Sequence, residues 1–564
     1  MSTESVNSNE EYLEDGTNRS PTKLHDIKAS KSRSGQTYKG YKIPNSFDVK
    51  NGKLYKNIDK TTSKEVTSTV PIIDYEYVDI DSKEIYFNLN FSVQDTDLNL
   101  KVTAEQITQK RELLNLARKR LDVNDNNANI LIDFIAQFRR LNSIKPVKVS
   151  TRLGHIGDSF ITPYSTDTRV FANDGGFETV LNNFKQKGTI NDYLNKVFNQ
   201  IKDEPMMMNV FYASCGSILL KYFDVEPFVV DLSGKTSTGK TTALKIASTV
   251  WGNSNLYVEW NTTVSFVERY AEFMNSFPLL LDDTSKADKS ILGAIVYNHT
   301  GGKGKGRSNQ KLTVDILKTW QNILISSGEV SLSDYSENRA GMAARVVTLQ
   351  EAPFKPNYPF IEIYKGLKEA YGTFGNLFHE QFKTDKKRYL DIFEEAQIKY
   401  MDKAEDNEVL KRLCRPFAML ETSGKIVNDI EGYEHDYEGH VEIAFKQLIE
   451  SNVNIDKPKQ LLISVLEHLN SRRQYLLNAN SSNPHSNEIG IIKKDFVGIY
   501  KDNLHKILKE ELNTIIKQWI ERGYLITNGS GNQKSVKHGN DILRVYAIKM
   551  SVIEELGFEF KIKS

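Results

Sequence analysis

From Pro227 to Trp251 the chain runs PFVVDLSGKTSTGKTTALKIASTVW, an apolar strand, a loop bounded by glycines, and a helix. This α/β layout is the one a nucleotide phosphate needs. Gly234 and Gly239 bracket the loop, and Lys240 and Thr241 close it. In the spacing G-x-x-x-x-G-K-[ST], backbone N–H groups cradle phosphate oxygens, the lysine reaches the β and γ phosphates, and the hydroxyl takes Mg²⁺. The positive end of the following helix dipole adds to the attraction. The spacing therefore predicts an ATP or GTP site built from Gly234, Lys235, Thr236, Ser237, Thr238, Gly239, Lys240, Thr241 and Thr242.

The surroundings of the loop suggest what the nucleotide drives. Downstream, NSFPLLLDD ends an apolar run on two carboxylates. Phosphoryl transfer needs one carboxylate on the metal and another near the γ phosphate, so Asp282 is expected to share Mg²⁺ with Thr241, and Asp283 to polarise the attacking water. A further strand, WQNILISSGEVSL, places Ser326 and Ser327 at its end, where ring ATPases keep a polar sensor of the γ phosphate; Ser327 is favoured over Ser326. In SENRAGMAARVVTL, Arg339 and Arg345 are candidates for an arginine finger given to a neighbouring subunit's nucleotide, which would make hydrolysis depend on assembly. A surface ion pair is the plainer alternative for either. Between the carboxylates and the sensor strand, NHTGGKGKGRSNQKLTVDILK carries a basic, glycine-rich tip. Its Lys303, Lys305, Arg307 and Lys311 suit a phosphate backbone, and in a hexamer the tip becomes a hairpin in the central pore.

At 564 residues the chain is long enough for several domains. Five segments are expected: a disordered tail (1–36), a mixed α/β domain (37–176), the ATPase core (177–359), a helical lid and linker (360–480) and a C-terminal winged helix (481–564). In the α/β domain, AEQITQKRELLNLARKRL and ANILIDFIAQFRRL are expected as helices. In the last domain Leu504, Leu508, Leu512, Ile515, Ile516, Trp519 and Ile520 make the buried stripe of one long helix. Lys506, Lys509 and Lys517 fall on its other faces, and Lys534 and Lys537 on a β wing, which would suit a major groove and the adjacent phosphates. The plainer alternative is a solvated lysine face.

No apolar run reaches a membrane span and the N-terminus lacks a signal sequence, so a cytoplasmic protein without membrane contact is expected. Cys215 and Cys414 sit in apolar helical contexts and predict neither a disulfide nor a zinc site. Net charge is +1, so any nucleic-acid surface has to be local.

TRLGHIGDSFITP, GKTSTGKTTALKIASTVWG, WNTTVSFVERYAEFMNSFPLLLDD, GGKGKGRS, LISSGE and GMAARVVTL together resemble a family of phage-like primase-helicases and of staphylococcal mobile-element helicases, the pathogenicity-island Rep and cassette-chromosome Cch type. The likeness spans roughly residues 38 to 430. It implies a multidomain α/β fold with an MCM-like AAA+ core, a homo-hexamer translocating on single-stranded DNA, and a C-terminal winged helix that reads double-stranded origin DNA, with host replication proteins as further partners. It places the finger at Arg345, the pore hairpin at Lys303, Lys305 and Arg307, and a second sensor at Arg412 or Arg415. Relatives often carry Asp-Glu where this chain has Asp282 and Asp283. The expectation is therefore an ATP- and Mg²⁺-dependent DNA helicase and replication initiator. The alternatives are an origin-binding protein whose assembly is gated by nucleotide, and a P-loop kinase or small-molecule NTPase.

Overall fold

The computed structural model describes residues 35–564 except 60, 173–174, 305–317, 336–338, 453–456, 478–487, 529–530, 540 and 561–564. The tail expected to be disordered lies almost wholly outside the described residues. The chain divides into two units, one ending at Leu181 and one starting at Asn182.

In the first unit, β1 (Phe47–Lys50), β2 (Lys53–Asn57) and β3 (Ser63–Thr67) form an antiparallel meander. A second sheet has β4 (Ile72–Asp79), β5 (Ile85–Val93) and β6 (Thr96–Thr103) antiparallel, with β7 (Lys145–Ser150) parallel to β4. α1 (Ala128–Leu141) buries Leu131, Phe134, Ile135 and Phe138, its recurring apolar stripe, in one core with Phe87, Leu89 and Phe91. The segment TRLGHIGDSFITP makes a hairpin of β8 (Gly154–Ile156) and β9 (Ser159–Ile161).

The run over residues 104–121 is not one helix. It is two short helices, Ala104–Thr108 and Lys110–Leu114, and a 3₁₀ turn, Asn115–Lys119, with Gln109 extended at φ −108° between the helices. On a straight helix Ile107, Leu113, Leu116 and Leu121 would spread over half the circumference. The break brings all of them into the same core.

The second unit is built on a parallel sheet of β10 (Val229–Ser233), β11 (Val258–Glu259), β12 (Leu279–Asp282), β13 (Leu324–Gly328) and β14 (Val346–Leu349), in spatial order β11-β12-β13-β10-β14. Its central strands are buried along their whole length, as continuous apolar runs in a sheet covered on both faces require. α2 (Pro205–Gly216) is buried all round. It meets α3 (Lys240–Thr249) through the Ser214 hydroxyl, which donates to the Ala247 carbonyl at 2.8 Å. After α4 (Phe360–Glu369), the long helices α5 (Lys386–Ala404) and α6 (Glu408–Asn428) pack on each other.

The C-terminal part has α7 (Lys457–Ser471), then the short strands β15 (Leu476–Leu477), β16 (Gly490–Ile492) and β17 (Phe496–Ile499), two helices, and β18 (Leu525–Ile526), β19 (Lys534–His538) and β20 (Asp541–Lys549). β19 and β20 pair as an antiparallel hairpin. The single long helix expected around Leu508 is two, α8 (Lys501–Leu508) and α9 (Leu512–Glu521), joined by a 3₁₀ turn at Lys509–Glu511, where Lys509 has φ 48°. The bend lets Leu504 and Leu508 share a core with Ile515, Ile516 and Trp519. The Trp519 indole N–H donates to the Pro458 carbonyl at 2.7 Å and ties α9 to α7.

Both cysteines are free and buried. No helix among the described residues is long and apolar enough to cross a membrane.

Candidate active site

At the C-terminal edge of the core sheet, the ends of β10, β12 and β13 meet the start of α3 around a cleft of about 440 Å³, a size that suits a nucleotide. The loop from Gly234 to Gly239 reaches this position with three left-handed residues, Gly234 at φ 140°, Ser237 at 60° and Gly239 at 92°. At Gly239 a Cβ would fall 2.6 Å from Phe354 Cδ2 and 2.9 Å from the Phe360 ring, so both conformation and space call for glycine. The unsatisfied N–H groups of the first turn of α3 follow at once. Lys240 Nζ donates to the carbonyls of Gly234 at 2.9 Å and Lys235 at 2.6 Å, and folds the loop around itself. Burial lowers its pKa, while the carboxylates of Glu329, Asp283 and Asp282 oppose that shift.

Asp282 is the hub. Its carboxylate accepts from the Thr241 hydroxyl at 3.1 Å and from the Ser327 hydroxyl at 2.6 Å, and the residue is only 6% exposed. The Asp283 N–H donates to Ser327 Oγ at 3.1 Å. A hydroxyl and a carboxylate converging at the glycine-bounded loop form the hard oxygen pair that suits Mg²⁺, an ion that keeps most of its waters and substrate oxygens. Thr241 and Asp282 would hold it, and the ion would neutralise charge on the phosphates. Ser326 points elsewhere, accepting from the Trp260 indole N–H at 3.1 Å, so Ser327 is the serine that faces the cleft.

Other sequence-selected residues are not brought to this cleft. Arg345 precedes β14, and its carbonyl accepts from the Val229 N–H at the opposite edge of the sheet. A five-residue strand puts it roughly 16 Å from its own chain's loop. Its guanidinium donates to the Gly341 carbonyl at 2.8 Å and lies 4.8 Å from the centre of the exposed Tyr297 ring. Arg339 opens the helix Arg339–Ala343, and its side chain is outside the described residues. Arg415 donates to the carbonyls of Phe223 and Asp224 and to Gln397, and stacks on Phe393. That places it beneath the start of β10, whereas Arg412 is exposed on α6; neither lines the cleft.

Of the basic tip, Lys303 is described. It bridges Thr319 in antiparallel fashion, and the Gly304 N–H donates to the Lys318 carbonyl, so the two ends of the segment run side by side. Lys305, Arg307 and Lys311 lie outside the described residues. In the C-terminal part Lys506, Lys509, Lys517 and Lys537 are exposed, while Lys534 lies 4.7 Å over the Phe496 ring.

Sequence reasoning missed three features of the site. Asp231, fully buried in β10, accepts from the Leu332 N–H at 2.9 Å and so anchors the segment after β13; burial pushes its pKa up to about 7. Phe360 and Tyr364, four residues apart on α4, wall the cleft, and the Tyr364 hydroxyl meets Thr242 Oγ1 at 2.8 Å. Glu329, two residues past Ser327, completes the rim. Its signal was its place in LISSGE, immediately after the two serines.

A family model described as a domain of unknown function, DUF927, matches residues 47–318. No curated protein sequence matches the chain. Among solved structures, one described as the SCCmec type IV Cch, an active helicase, aligns with a TM-score of 0.67 at 16% identity, over 91% of this chain and 99% of that one. At this identity the likeness is one of fold. The C-terminal region of NrS-1 in an apo form aligns with a TM-score of only 0.31 at 9% identity, over 84% of this chain and 96% of that one.

Proposed function

We propose that the chain is an ATP- and Mg²⁺-dependent DNA helicase that works as a homo-hexamer and initiates replication of a mobile element. The observation that carries this is the Thr241–Asp282–Ser327 network at the mouth of the glycine loop, in a sheet that sets the sensor strand β13 between the loop strand β10 and the carboxylate strand β12. That arrangement suits a metal-binding pair and a γ-phosphate sensor acting on one nucleotide. The fold shared with a Cch helicase supports the choice of motor over small-molecule kinase. ATP would lie with its phosphates on Gly234 to Thr242 and its base against Phe360 and Tyr364. Arg345, too far from its own loop, would serve the next subunit. The basic tip from Lys303 to Arg307 would grip single-stranded DNA in the pore, and Lys506, Lys509, Lys517, Lys534 and Lys537 would bind origin DNA from a winged helix. Cytoplasmic localisation and host replication partners belong to the same reading.

The test is ATP turnover and fork unwinding by the full chain and by Lys240→Ala. Loss of both in the variant supports the assignment, and unwinding that survives it refutes it. A second reading, an origin-binding protein with nucleotide-gated assembly, is favoured by one observation: Oδ1 of the Asp283 carboxylate is taken up by the N–H and hydroxyl of Ser285. An assembled ring that binds ATP without turnover would select that reading.

A further inference from the structure

We infer that Glu329, not Asp283, is the catalytic carboxylate that polarises the water attacking the γ phosphate. The inference rests on the ATP-hydrolysing reading above.

Asp283 is committed to the fold. Its backbone is left-handed at φ 67°, and its Oδ1 accepts from the Ser285 N–H at 3.2 Å and from the Ser285 hydroxyl at 2.5 Å, capping the turn Thr284–Lys286. Its Oδ2 lies 3.9 Å from Lys286 Nζ. Turning this carboxylate toward a γ phosphate would give up the cap, and a non-glycine residue in that backbone conformation is retained where the surroundings fix it.

Glu329 has the opposite character. Like Asp283 it lines the cleft, but it is exposed and makes no hydrogen bond or ion pair among the described residues. Among the carboxylates around Lys240, it acts on the ammonium most strongly, ahead of Asp283 and Asp282. Glu329 follows Ser327 by two residues, and Ser327 bonds Asp282, which with Thr241 would hold the ion on the phosphates, so Glu329 lines the cleft beside that pair. Its backbone is held on both sides. Before it, the Gly328 carbonyl accepts from the Gly234 N–H at 3.3 Å, and Gly328 packs so tightly that a Cβ there would fall 2.0 Å from Thr284 Oγ1. After it, the Leu332 N–H is fixed by Asp231. A free carboxylate on an anchored support is what water activation needs, because the group is in place before the substrate arrives.

In the step, the water oxygen bonds to the γ phosphorus. The bond from that phosphorus to the bridging oxygen breaks, and its electron pair leaves with ADP. The water proton passes to the Glu329 carboxylate and from there to solvent.

The test uses the full chain with Mg²⁺ and single-stranded DNA, and measures kcat for ATP alongside affinity for a fluorescent ATP analogue. Glu329→Gln is expected to lower kcat by about 100-fold or more while affinity changes by less than about threefold, and Glu329→Asp to recover part of the loss. Asp283→Asn is expected to cost less than about tenfold. A Glu329→Gln enzyme that turns over within about threefold of wild type, or a loss larger in Asp283→Asn than in Glu329→Gln, overturns the assignment. If wild type turns over and Lys240→Ala does not, such a result removes Glu329 alone. If wild type binds the analogue and never hydrolyses ATP, the hydrolytic reading falls and Glu329 with it.

Discussion

The two edges of the core sheet use the same strands for opposite chemistry. At the C-terminal edge, Asp282 is buried and bonded to Thr241 and Ser327, and Lys240 is the one cation among the described residues that line the cleft. At the N-terminal edge, Arg415 is closed by carbonyls of its own chain, whereas Arg345 has one carbonyl partner and rests on the exposed ring of Tyr297. One edge thus gathers acceptors and a single lysine, and the other keeps a guanidinium in reserve. A strand cannot fold its two ends together, so on the proposed reading Arg345 would meet a nucleotide only on another copy of the chain.

Removing either half tests that comparison most severely. Arg345→Ala should lower DNA-stimulated ATP turnover by about 10³-fold with little change in nucleotide affinity. Lys240→Ala should lower turnover by about 10²–10³-fold and weaken nucleotide binding too, since on the proposed reading its ammonium would bind the phosphates. Steady-state kinetics and analogue binding distinguish the two patterns. A smaller effect belongs to the loop itself. Gly239→Ala must place a Cβ against Phe354 at a left-handed position, and is expected to weaken ATP-analogue binding about tenfold and to lower the melting temperature.

Asp231 sharpens the same edge through pH. Burial raises its pKa to about 7 from an ordinary 3.8, so between those values the folded chain keeps a proton that the unfolded chain releases. Its contribution to stability is fully present below the unfolded value, falls as pH rises through that window and is flat above it. The melting temperature of wild type should therefore drop more steeply between pH 5 and 8 than that of Asp231→Asn, and equal slopes would refute the shift.

The C-terminal lysines are outside the edge-to-edge comparison and should respond differently. Replacing Lys506, Lys509 and Lys517 with alanine should reduce the salt dependence of duplex-DNA binding, by a slope of about 3 if all three touch phosphates. An unchanged slope would leave them as a solvated face.

The strands that lead to the glycine loop, to Asp282 and to Ser327 were legible because each is a continuous apolar run ending on polar residues, which a buried parallel strand imposes on sequence. Of the two serines, Ser327, the one favoured from the sequence, faces the cleft, and Ser326 meets Trp260. The direction of a side chain was not. Asp283 follows Asp282 in the pattern, but its left-handed backbone turns the carboxylate onto Ser285, and nothing local in LLLDDTS announces that. Periodicity pointed to helix around Gln109 and Lys509, yet not that the helix breaks there, because the break depends on a core formed by distant strands. Arg412 and Arg415 lie on neighbouring positions of one helix, and only the carbonyls of Phe223 and Asp224, far away in sequence, tell them apart.

The most direct measurement mixes Arg345→Ala chains with Lys240→Ala chains and follows ATP turnover as a function of their ratio. A loop with its lysine then meets an arginine from the neighbouring variant, so turnover should recover in part and peak at intermediate ratios. Turnover that stays at the level of the separate variants at every ratio, with assembly shown intact, would contradict a nucleotide site shared between subunits.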